Sequence, residues 1–279
     1  MSRGQLEGQT AVITGASDGI GLASACSLAR DGAAVVIMAR GEEALARARS
    51  SILAESPGAR VEMVVGDACD EAAVKDALAR AHASTGRLDM VIATVGGADF
   101  KPLLLRELAD VREEMDRNFT SAFLMARHGA PLMHNGGAIV CISTAAVVQS
   151  YWGLSIYAAA KAAVERFVRS AALELGGAGI RINAVRPGST FPTERSEAPE
   201  FREIVDYYAG QTPLGRIGRP EDIARVVRFL AGPDSGWVTG QTFSADGGQD
   251  QCTAPELMEP LYGKAVMDQI RAGRIPNPA

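Results

Sequence analysis

The stretch TAVITGASDGIG, residues 10–21, decides the fold, because an apolar strand-like run enters a glycine-rich turn that opens a helix. Backbone N–H groups of such a turn, together with the helix N-terminus, can hold a pyrophosphate. Glycine allows the close approach because a Cβ atom would obstruct it. The stretch predicts a dinucleotide-phosphate site at the end of the first strand. A glycine-rich turn that holds no ligand is the alternative.

Further apolar runs rich in Val and Ile alternate with longer segments of helical spacing. Runs this apolar suit strands covered on both faces, and their alternation with helices predicts a parallel sheet built from right-handed βαβ units. We therefore predict one α/β domain over residues 1–249, with both the cofactor and the substrate sites, and a C-terminal extension over residues 250–279. The remaining predicted strands are AVVIM (34–38), VEMVV (61–65), LDMVIAT (88–94), GAIVCIS (137–143) and GIRINAVRP (179–187).

Composition argues against several classes of protein. The 279 residues are 47% hydrophobic and 22% charged, which is typical of a globular chain rather than a disordered or fibrous one. A net charge of -5, from 28 Lys and Arg against 33 Asp and Glu, gives no basic surplus for nucleic-acid binding. No signal-peptide core and no membrane-length apolar run is present, so we expect a cytoplasmic protein that stays out of the membrane. Four dispersed cysteines and three histidines predict neither a disulfide framework nor a metal site.

The end of the second strand bears on the choice between NAD and NADP. An NAD site usually has an acidic residue here to accept hydrogen bonds from the adenosine ribose, whereas this chain has Ala39 followed by Arg40. The Arg40 guanidinium can bind a 2′-phosphate through a fork of donors, so the pattern favours NADP, with NAD possible. An arginine solvated at the strand end is the alternative, and Asp18 opposes NADP if it lies near that phosphate.

Tyr157 and Lys161 form the candidate chemical pair. Their i,i+4 spacing in an Ala-rich helical segment puts the phenol and the ammonium side by side on one face. A nearby cation favours the phenolate, and a tyrosine pKa lowered from its usual ~10 toward the working pH makes a usable acid/base. A surface Tyr–Lys pair without chemistry is the alternative.

These features resemble the short-chain dehydrogenase/reductase family, in the branch with a TGxxxGxG turn and a YxxxK pair. The resemblance implies a single Rossmann-like domain with a doubly wound, seven-stranded parallel sheet and helices on both faces. It also implies hydride transfer between a nicotinamide and a carbonyl or secondary alcohol. It runs from about Gly8 to Gly248, and the motifs occur in the family's order: the turn at 14–21, Asp67 after strand three, Asn118, a hydroxyl pair before Tyr157, Pro187-Gly188, and the run GRPEDIARVVRFLAG…VTGQTFSADGG.

The resemblance assigns roles to individual residues. Tyr157 is expected to donate or accept the proton, and Lys161 to hold the nicotinamide ribose and lower the tyrosine pKa. Asn118 is expected to position a water that relays protons to Lys161. The substrate-orienting hydroxyl falls on Thr144, with Ser143 as the alternative. The cofactor-binding residues implied are Gly15, Ser17, Asp18, Gly19, Ile20, Gly21, Arg40, Asp67, Ala68, Gly96, Tyr157, Lys161, Pro187, Gly188, Thr190 and Thr193.

The sequence departs from the family pattern at two places. Thr144 stands where serine is usual, and it keeps the hydroxyl donor and acceptor while its methyl narrows the space. The usual Asn-Asn-Ala-Gly after the fourth strand reads Ala93-Thr94-Val95-Gly96 here. We therefore expect the amide side chains that brace the sheet to be missing, at a cost to cofactor affinity or local stability. Gly96 still allows backbone approach to the adenosine ribose.

The sequence thus predicts an NADP(H)-preferring oxidoreductase acting on an apolar carbonyl or secondary alcohol. Reduction of 3-oxoacyl thioesters is the alternative within the enzyme class, and a non-catalytic nucleotide-binding scaffold is the alternative outside it. An apolar substrate pocket is inferred from side chains that come before and after the candidate site in the sequence. The alternative is that these side chains only pack within the loop that covers the substrate. They are Val147, Val148, Tyr151 and Trp152 before Tyr157, and Phe191, Tyr207 and Tyr208 after Pro187-Gly188.

Assembly is predicted from the segment AAAKAAVERFVRSAALEL, which is apolar on more than one side. In the family this helix pairs with a second subunit, so we expect a homodimer or homotetramer. Beyond Gly248, apolar residues at roughly helical spacing predict an extension that packs at a subunit interface or over the substrate opening, with a loosely attached tail as the alternative. These residues are Leu257, Met258, Leu261, Tyr262, Val266, Met267 and Ile270.

Overall fold

A sheet of seven parallel strands forms the centre of the protein. The computed structural model describes residues 4–192, 196–251 and 258–276, and its strands lie in the order β3-β2-β1-β4-β5-β6-β7. The predicted doubly wound, all-parallel sheet is therefore confirmed. The strands are β1 Thr10–Thr14, β2 Ala34–Ala39, β3 Val61–Val65, β4 Met90–Ala93, β5 Gly137–Ile142, β6 Ile180–Pro187 and β7 Thr242–Ala245.

Helices cover both faces of the sheet. One face carries the first, second and eighth helices, and the other face carries the third, fifth and sixth. The helices are α1 Gly19–Arg30, α2 Glu42–Glu55, α3 Glu71–Thr85, α4 Leu108–Met115, α5 Ser121–Gly129, α6 Ser155–Leu175, α7 Arg202–Gln211, α8 Pro220–Ala231, α9 Met258–Tyr262 and α10 Lys264–Arg271.

Successive residues of each central strand enter different cores. In β1, Ile13 packs with α1, α2 and α8, whereas Val12 packs with α3, α5 and α6. Both side chains are fully buried. Because burying such a side chain stabilises the fold by about 2 kcal/mol, both strand faces stay apolar. This is why continuous apolar runs, rather than alternating ones, mark the strands in the sequence.

The strand order places the candidate site. β1 pairs with β2 on one side and with β4 on the other, so the chain changes direction across the sheet between these neighbours. Ligands of such sheets bind in the crevice beyond the carboxyl ends of the strands at this switch point. The glycine-rich turn after β1 and the loop after β4 both lie there.

Individual residues explain where α1 ends and where β4 begins. α1 ends at Arg30, and Gly32 takes a φ of +97° beyond it. The predicted fourth strand, residues 88–94, is shorter in the structure, beginning at Met90. The reason is Asp89, whose carboxylate accepts the Thr10 N–H at 2.8 Å and pairs with Arg87 at 2.6 Å.

The described part of the C-terminal extension forms two short helices, α9 and α10. Met258 and Met267 are fully buried. Met258 packs against Gly153, in the loop before α6, and the Tyr262 hydroxyl donates to the Phe100 carbonyl, in the loop after β4. The extension thus contacts two loops next to the candidate site. Within the described ranges, no helix has the length and apolar character needed to cross a membrane.

Candidate active site

The turn between β1 and α1 forms a backbone cradle. Gly15 and Gly19 have φ angles of +63° and +54°, which favour glycine. A Cβ atom at Gly21 would lie 2.3 Å from the Gly15 carbonyl oxygen, so the third glycine allows α1 to pack against the turn. Asp18 caps α1 by accepting the Gly19 N–H at 2.7 Å. The helix N-terminus at this turn suits an anion, and Asp18 adds a competing negative charge beside it.

A cleft of about 1270 Å³ opens beyond the carboxyl ends of β1 to β4. It exceeds the ~1,000 Å³ at the upper end for drug-sized ligands, as an extended dinucleotide requires. Several lining residues were missed by the sequence analysis: Cys69, Glu113, Asp116, Arg117, Pro192 and Pro220. The predicted cofactor residues that line the cleft are Gly15, Ser17, Asp18, Gly19, Ile20, Gly21, Arg40, Asp67, Ala68, Gly96 and Thr190.

Four predicted cofactor residues do not line this cleft, and Thr193 falls outside the described residues. Pro187 ends β6, and the N–H of the following Gly188 donates to a carbonyl of β7 at 3.3 Å. Tyr157 and Lys161 lie on α6, and Lys161 lies behind Gly96 in the loop that follows β4. Gly96 therefore stands between the cleft and the Lys161 ammonium.

Arg40 lies at the rim of the cleft where β2 ends. Its side chain is 83% exposed, and its Nη1 atom lies 4.0 Å from Asp67 Oδ2. The other Asp67 oxygen accepts the Cys69 N–H at 2.9 Å, which holds this carboxylate beside the cleft. A weak, exposed ion pair of this kind leaves the Arg40 guanidinium accessible to another anion.

Tyr157 lies in the first turn of α6 and is hydrogen-bonded to the side chain of Thr144, the second residue after β5. Burial raises the pKa of the Tyr157 phenol, while its hydrogen bond with the Thr144 side chain lowers this pKa and the Glu114 carboxylate raises it. The predicted substrate-orienting hydroxyl and the predicted proton carrier are therefore adjacent.

Lys161 is buried, and its Nζ donates to the Ile142 carbonyl at 2.8 Å. Burial lowers the pKa of the Lys161 ammonium to about 8, although Cys141 acts in the opposite direction. The raised pKa of Tyr157 differs from the expected lowering by Lys161. The physical reason is that burial dominates at Tyr157, while the ammonium is directed at the Ile142 carbonyl.

Asn118 lies in a single π-helical turn, Asp116–Thr120, between α4 and α5. Its Nδ2 donates to the Gly97 carbonyl at 2.9 Å, and its Oδ1 accepts the Gly97 N–H at 3.0 Å. A Cβ atom at Gly96 would lie 2.7 Å from Lys161 Nζ and 2.8 Å from Asn118 Oδ1. The loop after β4 thus brings the two predicted side chains together, and only a glycine fits between them without displacing one. Such π-helical turns are frequent at functional sites.

Ser143, the alternative to Thr144, contacts different side chains. Its hydroxyl donates to Glu165 Oε1 at 2.6 Å, and Glu165 pairs with Arg186 at 2.6 Å. Ser143 is buried in this network. Of the two hydroxyls left open by the sequence, the one that faces Tyr157 belongs to Thr144.

Threonines connect the strand ends after β4, where the usual amide side chains are missing. The Thr94 hydroxyl donates to the Thr14 carbonyl at 2.5 Å, and the Thr94 N–H donates to the Thr14 hydroxyl at 3.3 Å. This reciprocal pair links the ends of β1 and β4. Two threonines therefore provide the connection that the missing amides were expected to provide.

A polar network lies on the substrate side. The Tyr151 hydroxyl donates to Gln149 Oε1 at 2.7 Å and accepts from Gln249 Nε2 at 3.2 Å. The Gln249 Oε1 accepts the Ser189 N–H at 2.6 Å. Gln249 is buried and was missed by the sequence analysis, since it follows the last family motif and gives no signal of its own. Burial of Tyr208 raises its pKa to about 12.

Comparison with known proteins identifies the family. A short-chain type dehydrogenase/reductase from Mycobacterium ulcerans superposes with a TM-score of 0.87 at 30% sequence identity, covering 95% of this chain and 98% of that chain. A family model described as enoyl-(acyl carrier protein) reductase matches residues 15–250. The chain belongs to the short-chain dehydrogenase/reductase family.

Two relatives of this short-chain dehydrogenase/reductase carry named activities. L-rhamnose 1-dehydrogenase (NAD(P)(+)) from Sphingomonas sp. (strain SKA58) is 33% identical over 246 residues, which cover 87% of this chain and 96% of the relative. Cis-4-hydroxycyclohexanecarboxylate dehydrogenase from Sinomonas cyclohexanicum is 37% identical over 246 residues, covering 86% and 96%. This chain is accordingly an NAD(P)-dependent oxidoreductase acting on CH–OH groups. The non-catalytic scaffold is set aside.

A nicotinamide dinucleotide fits this short-chain dehydrogenase/reductase. The cradle at residues 15–21 has the space and the helix N-terminus for the phosphates. The cleft continues from the cradle past Asp67 to Gly96 and Thr190, so it reaches from the turn after β1 to the loops that follow β4 and β6. Gly96, which lines the far end of the cleft, lies against the Lys161 ammonium.

Proposed function

We propose that this enzyme transfers a hydride between NADP(H) and a carbonyl or secondary alcohol of apolar character. The observation that carries the cofactor preference is Arg40, which is exposed at the rim of the cleft beside Ala39, where an acidic residue would favour NAD. A guanidinium offers a 2′-phosphate two parallel donors and a full positive charge.

The carboxylates of Asp67 and Asp18 oppose the preference for NADP, and they do so to different degrees. Asp67 is 4.0 Å from Arg40 in an exposed pair, which is worth at most about 1 kcal/mol, so a phosphate can replace it as the arginine's partner. Asp18 is engaged with the Gly19 N–H at the helix terminus. We infer that the Arg40 contact outweighs the repulsion from both.

The reaction divides between a bound cofactor and the protein's own groups. When bound, the nicotinamide supplies the hydride donor or acceptor. In oxidation the Tyr157 phenolate removes the alcohol proton, and in reduction its hydroxyl protonates the carbonyl oxygen. The Thr144 hydroxyl donates to the same oxygen and stabilises the charge that develops on it. Lys161 adds a buried cation behind Gly96. Asn118 holds the loop that contains Gly96 through its hydrogen bond with Gly97.

The substrate class rests on the side chains around the opening. Val148 and Trp152, in the loop between β5 and α6, expose apolar surface. The Tyr151 hydroxyl, by contrast, is already bonded to Gln149 and Gln249. This wall therefore offers a substrate apolar contact rather than unsatisfied donors, which favours an apolar ring or chain around the reacting carbon.

Cofactor preference is tested by kcat/KM with NADP and with NAD. We expect the wild-type enzyme to favour NADP. Arg40→Ala should weaken NADP use by about tenfold, in line with loss of a charge-assisted contact, and leave NAD use nearly unchanged. Ala39→Asp should reverse the preference by adding a ribose acceptor. A wild-type enzyme that favours NAD would overturn this part of the proposal.

Substrate class is tested by turnover of cyclohexanol, cis-4-hydroxycyclohexanecarboxylate, L-rhamnose and an acetoacetyl thioester, each in both directions where the chemistry allows. We expect the cyclic alcohols to exceed the sugar and the thioester in kcat/KM. Tyr157→Phe should lower turnover by at least ~10²-fold while cofactor binding, measured by nucleotide fluorescence, stays nearly intact. Preference for the thioester would establish the alternative reductase instead.

A further inference from the structure

Arg106 and Glu114 form an ion pair inside the protein, next to the candidate site. Nη1 of Arg106 lies 3.2 Å from Oε1 of Glu114, and the two side chains are 3% and 0% exposed. The pair between Arg186 and Glu165 keeps 15% and 13% exposure. Taking two charges this far out of water is costly unless the remaining hydrogen-bonding groups are satisfied, so the partners of this pair are informative.

Glu114 connects α4 with the loop after β4 and with Asn118. Its Oε1 accepts the Asp99 N–H at 3.1 Å, in addition to Arg106. Its Oε2 accepts from Asn118 Nδ2 at 3.3 Å. The same amide nitrogen also donates to the carbonyls of Gly97 and Glu114. The carboxylate therefore helps decide which way the Asn118 amide faces, since only its NH₂ end can donate to this oxygen.

Arg106 connects the same loop with the segment that precedes α6. Its Nε donates to the Lys101 carbonyl at 3.1 Å, and its Nη2 donates to the carbonyls of Gly153, at 3.0 Å, and of Asp99. Gly153 lies between Tyr151 and Tyr157 in the sequence. The ion pair thus joins the loop after β4, the loop before α6 and the π-helical turn that carries Asn118.

We propose that Glu114, held by Arg106, is a positioning residue that keeps Asn118 and the loop after β4 in the arrangement needed for proton transfer at Tyr157. The inference rests on the catalytic role proposed for Tyr157. Asn118 in turn binds Gly97 through both ends of its amide, and Gly96 lies against Lys161. A change at Glu114 is therefore transmitted to Asn118 directly and to Lys161 through two neighbouring glycines.

The charge of Glu114 gives the proposal a second consequence. The titratable and charged groups around Tyr157 are Lys161 on the same helix, Glu114 on α4 with Arg106 behind it, and Tyr151 in the preceding loop. Glu114 acts to raise the pKa of the Tyr157 phenol. Removing its negative charge should therefore lower this pKa and move phenolate formation to lower pH.

The test uses Glu114→Gln, which keeps the shape and removes the charge. A double variant with Arg106→Met guards against misfolding, because it leaves no unpaired buried cation. Tyrosinate absorbance is titrated in each protein and in the same protein carrying Tyr157→Phe, so that the difference reports Tyr157 alone and needs no substrate. We expect the Tyr157 pKa to fall in Glu114→Gln, and to fall less in the double variant because the Arg106 cation is lost together with the carboxylate. We also expect kcat for cyclohexanol to fall about tenfold at a nearly constant KM.

Asp110→Asn is the matched control. It makes the same acid-to-amide change on the same helix, and it also loosens the loop after β4 by weakening the 2.7 Å pair with Lys101, but without a contact to Asn118. We expect it to lower the melting temperature and leave the titration unchanged. Variants of Glu114 that lose stability without moving either the titration or kcat would overturn the positioning role. If Tyr157→Phe itself retains turnover, the catalytic assignment fails instead, which separates the two outcomes.

Discussion

At the scale of single residues, the choice between Ser143 and Thr144 shows where sequence reasoning stops. Counting back from Tyr157 indicates a hydroxyl near the end of β5, but two hydroxyls are adjacent there. Neighbouring residues of an extended chain point to opposite sides, so only one can face Tyr157. Three-dimensional neighbours decide the matter, because Glu165 lies beside Ser143 and the phenol beside Thr144.

These different surroundings predict different consequences for two similar substitutions. Thr144→Val keeps the shape and removes the hydroxyl beside Tyr157, so we expect kcat to fall by ~10²-fold. It also removes the acceptor of the Ala146 N–H, a 3.3 Å contact, so we expect a small loss of stability. Ser143→Ala removes a donor to the partly buried Glu165 carboxylate, so we expect a loss of about 1 kcal/mol in the free energy of unfolding and nearly normal kcat. Steady-state kinetics and urea denaturation of both variants provide the check. The reverse pattern would assign the substrate contact to Ser143.

Lys161 predicts a pH dependence of stability. Its pKa is about 8 in the folded protein against an ordinary value of 10.5, so the unfolded chain binds the proton more tightly. Below pH 8 the Lys161 ammonium is charged in both states, and burying it lowers the free energy of unfolding. This destabilisation shrinks as pH rises from 8 toward 10.5, because the folded protein then loses a proton that the unfolded chain still binds. Relative to Lys161→Met, the wild-type protein should gain roughly 2 kcal/mol in the free energy of unfolding between about pH 7 and about pH 9.5. Urea denaturation at both pH values measures it, and a pH-independent difference would contradict the lowered pKa.

At the scale of elements, the loop after β4 has contacts that the sequence does not reveal. Comparison with the family pattern shows that the usual amides are missing but not which residues connect the strand ends instead, because it compares residue types at one place in the chain. Thr94 is braced by Thr14, which lies 80 residues earlier. The roles of Arg106 and Glu114 are hidden for the same reason, since neither belongs to a motif and their partners come from separate loops. The first six strands, by contrast, were predicted closely, because apolar runs in the local sequence determine them.

Two adjacent glycines in this loop give a matched test of its function. In Gly96→Ala, the new methyl would lie 2.7 Å from Lys161 Nζ and 2.8 Å from Asn118 Oδ1, so one of these side chains must move. Both contacts are with the ends of side chains rather than with backbone, and we expect kcat to fall at least about tenfold while the melting temperature changes little. In Gly97→Ala, the nearest atom, Arg117 Nη1, would lie at 3.5 Å, an ordinary contact. Equal kinetics of the two variants would show that the spacing at Gly96 is unimportant.

At the scale of the whole molecule, the order of strands and helices follows from the sequence, whereas the use of the outer surfaces does not. An apolar run in the sequence predicts that a segment is buried, but not which part of the chain or which subunit covers it. On α6, Leu173 is 87% exposed, and Phe123 on α5 is partly exposed beside Phe167, with ring centroids 6.0 Å apart. This apolar surface supports the proposal that α5 and α6 pair with a second subunit. Light scattering of the wild-type protein should give a dimer or tetramer.

The C-terminal extension carries the last prediction. Because Met258 packs on Gly153 and Tyr262 binds the Phe100 carbonyl, we propose that the extension forms part of the wall of the substrate opening. Ending the chain after Gln251 preserves the Gln249 network, and should change the substrate KM several-fold while leaving the Kd for NADP unchanged, since the cofactor cleft is lined by other segments. Met258→Ala should reproduce this effect because it removes the buried contact, whereas Leu261→Ala, at an exposed position of the same helix, should not. If the shortened chain keeps both its KM and its mass by light scattering, the extension contributes neither to the substrate opening nor to assembly.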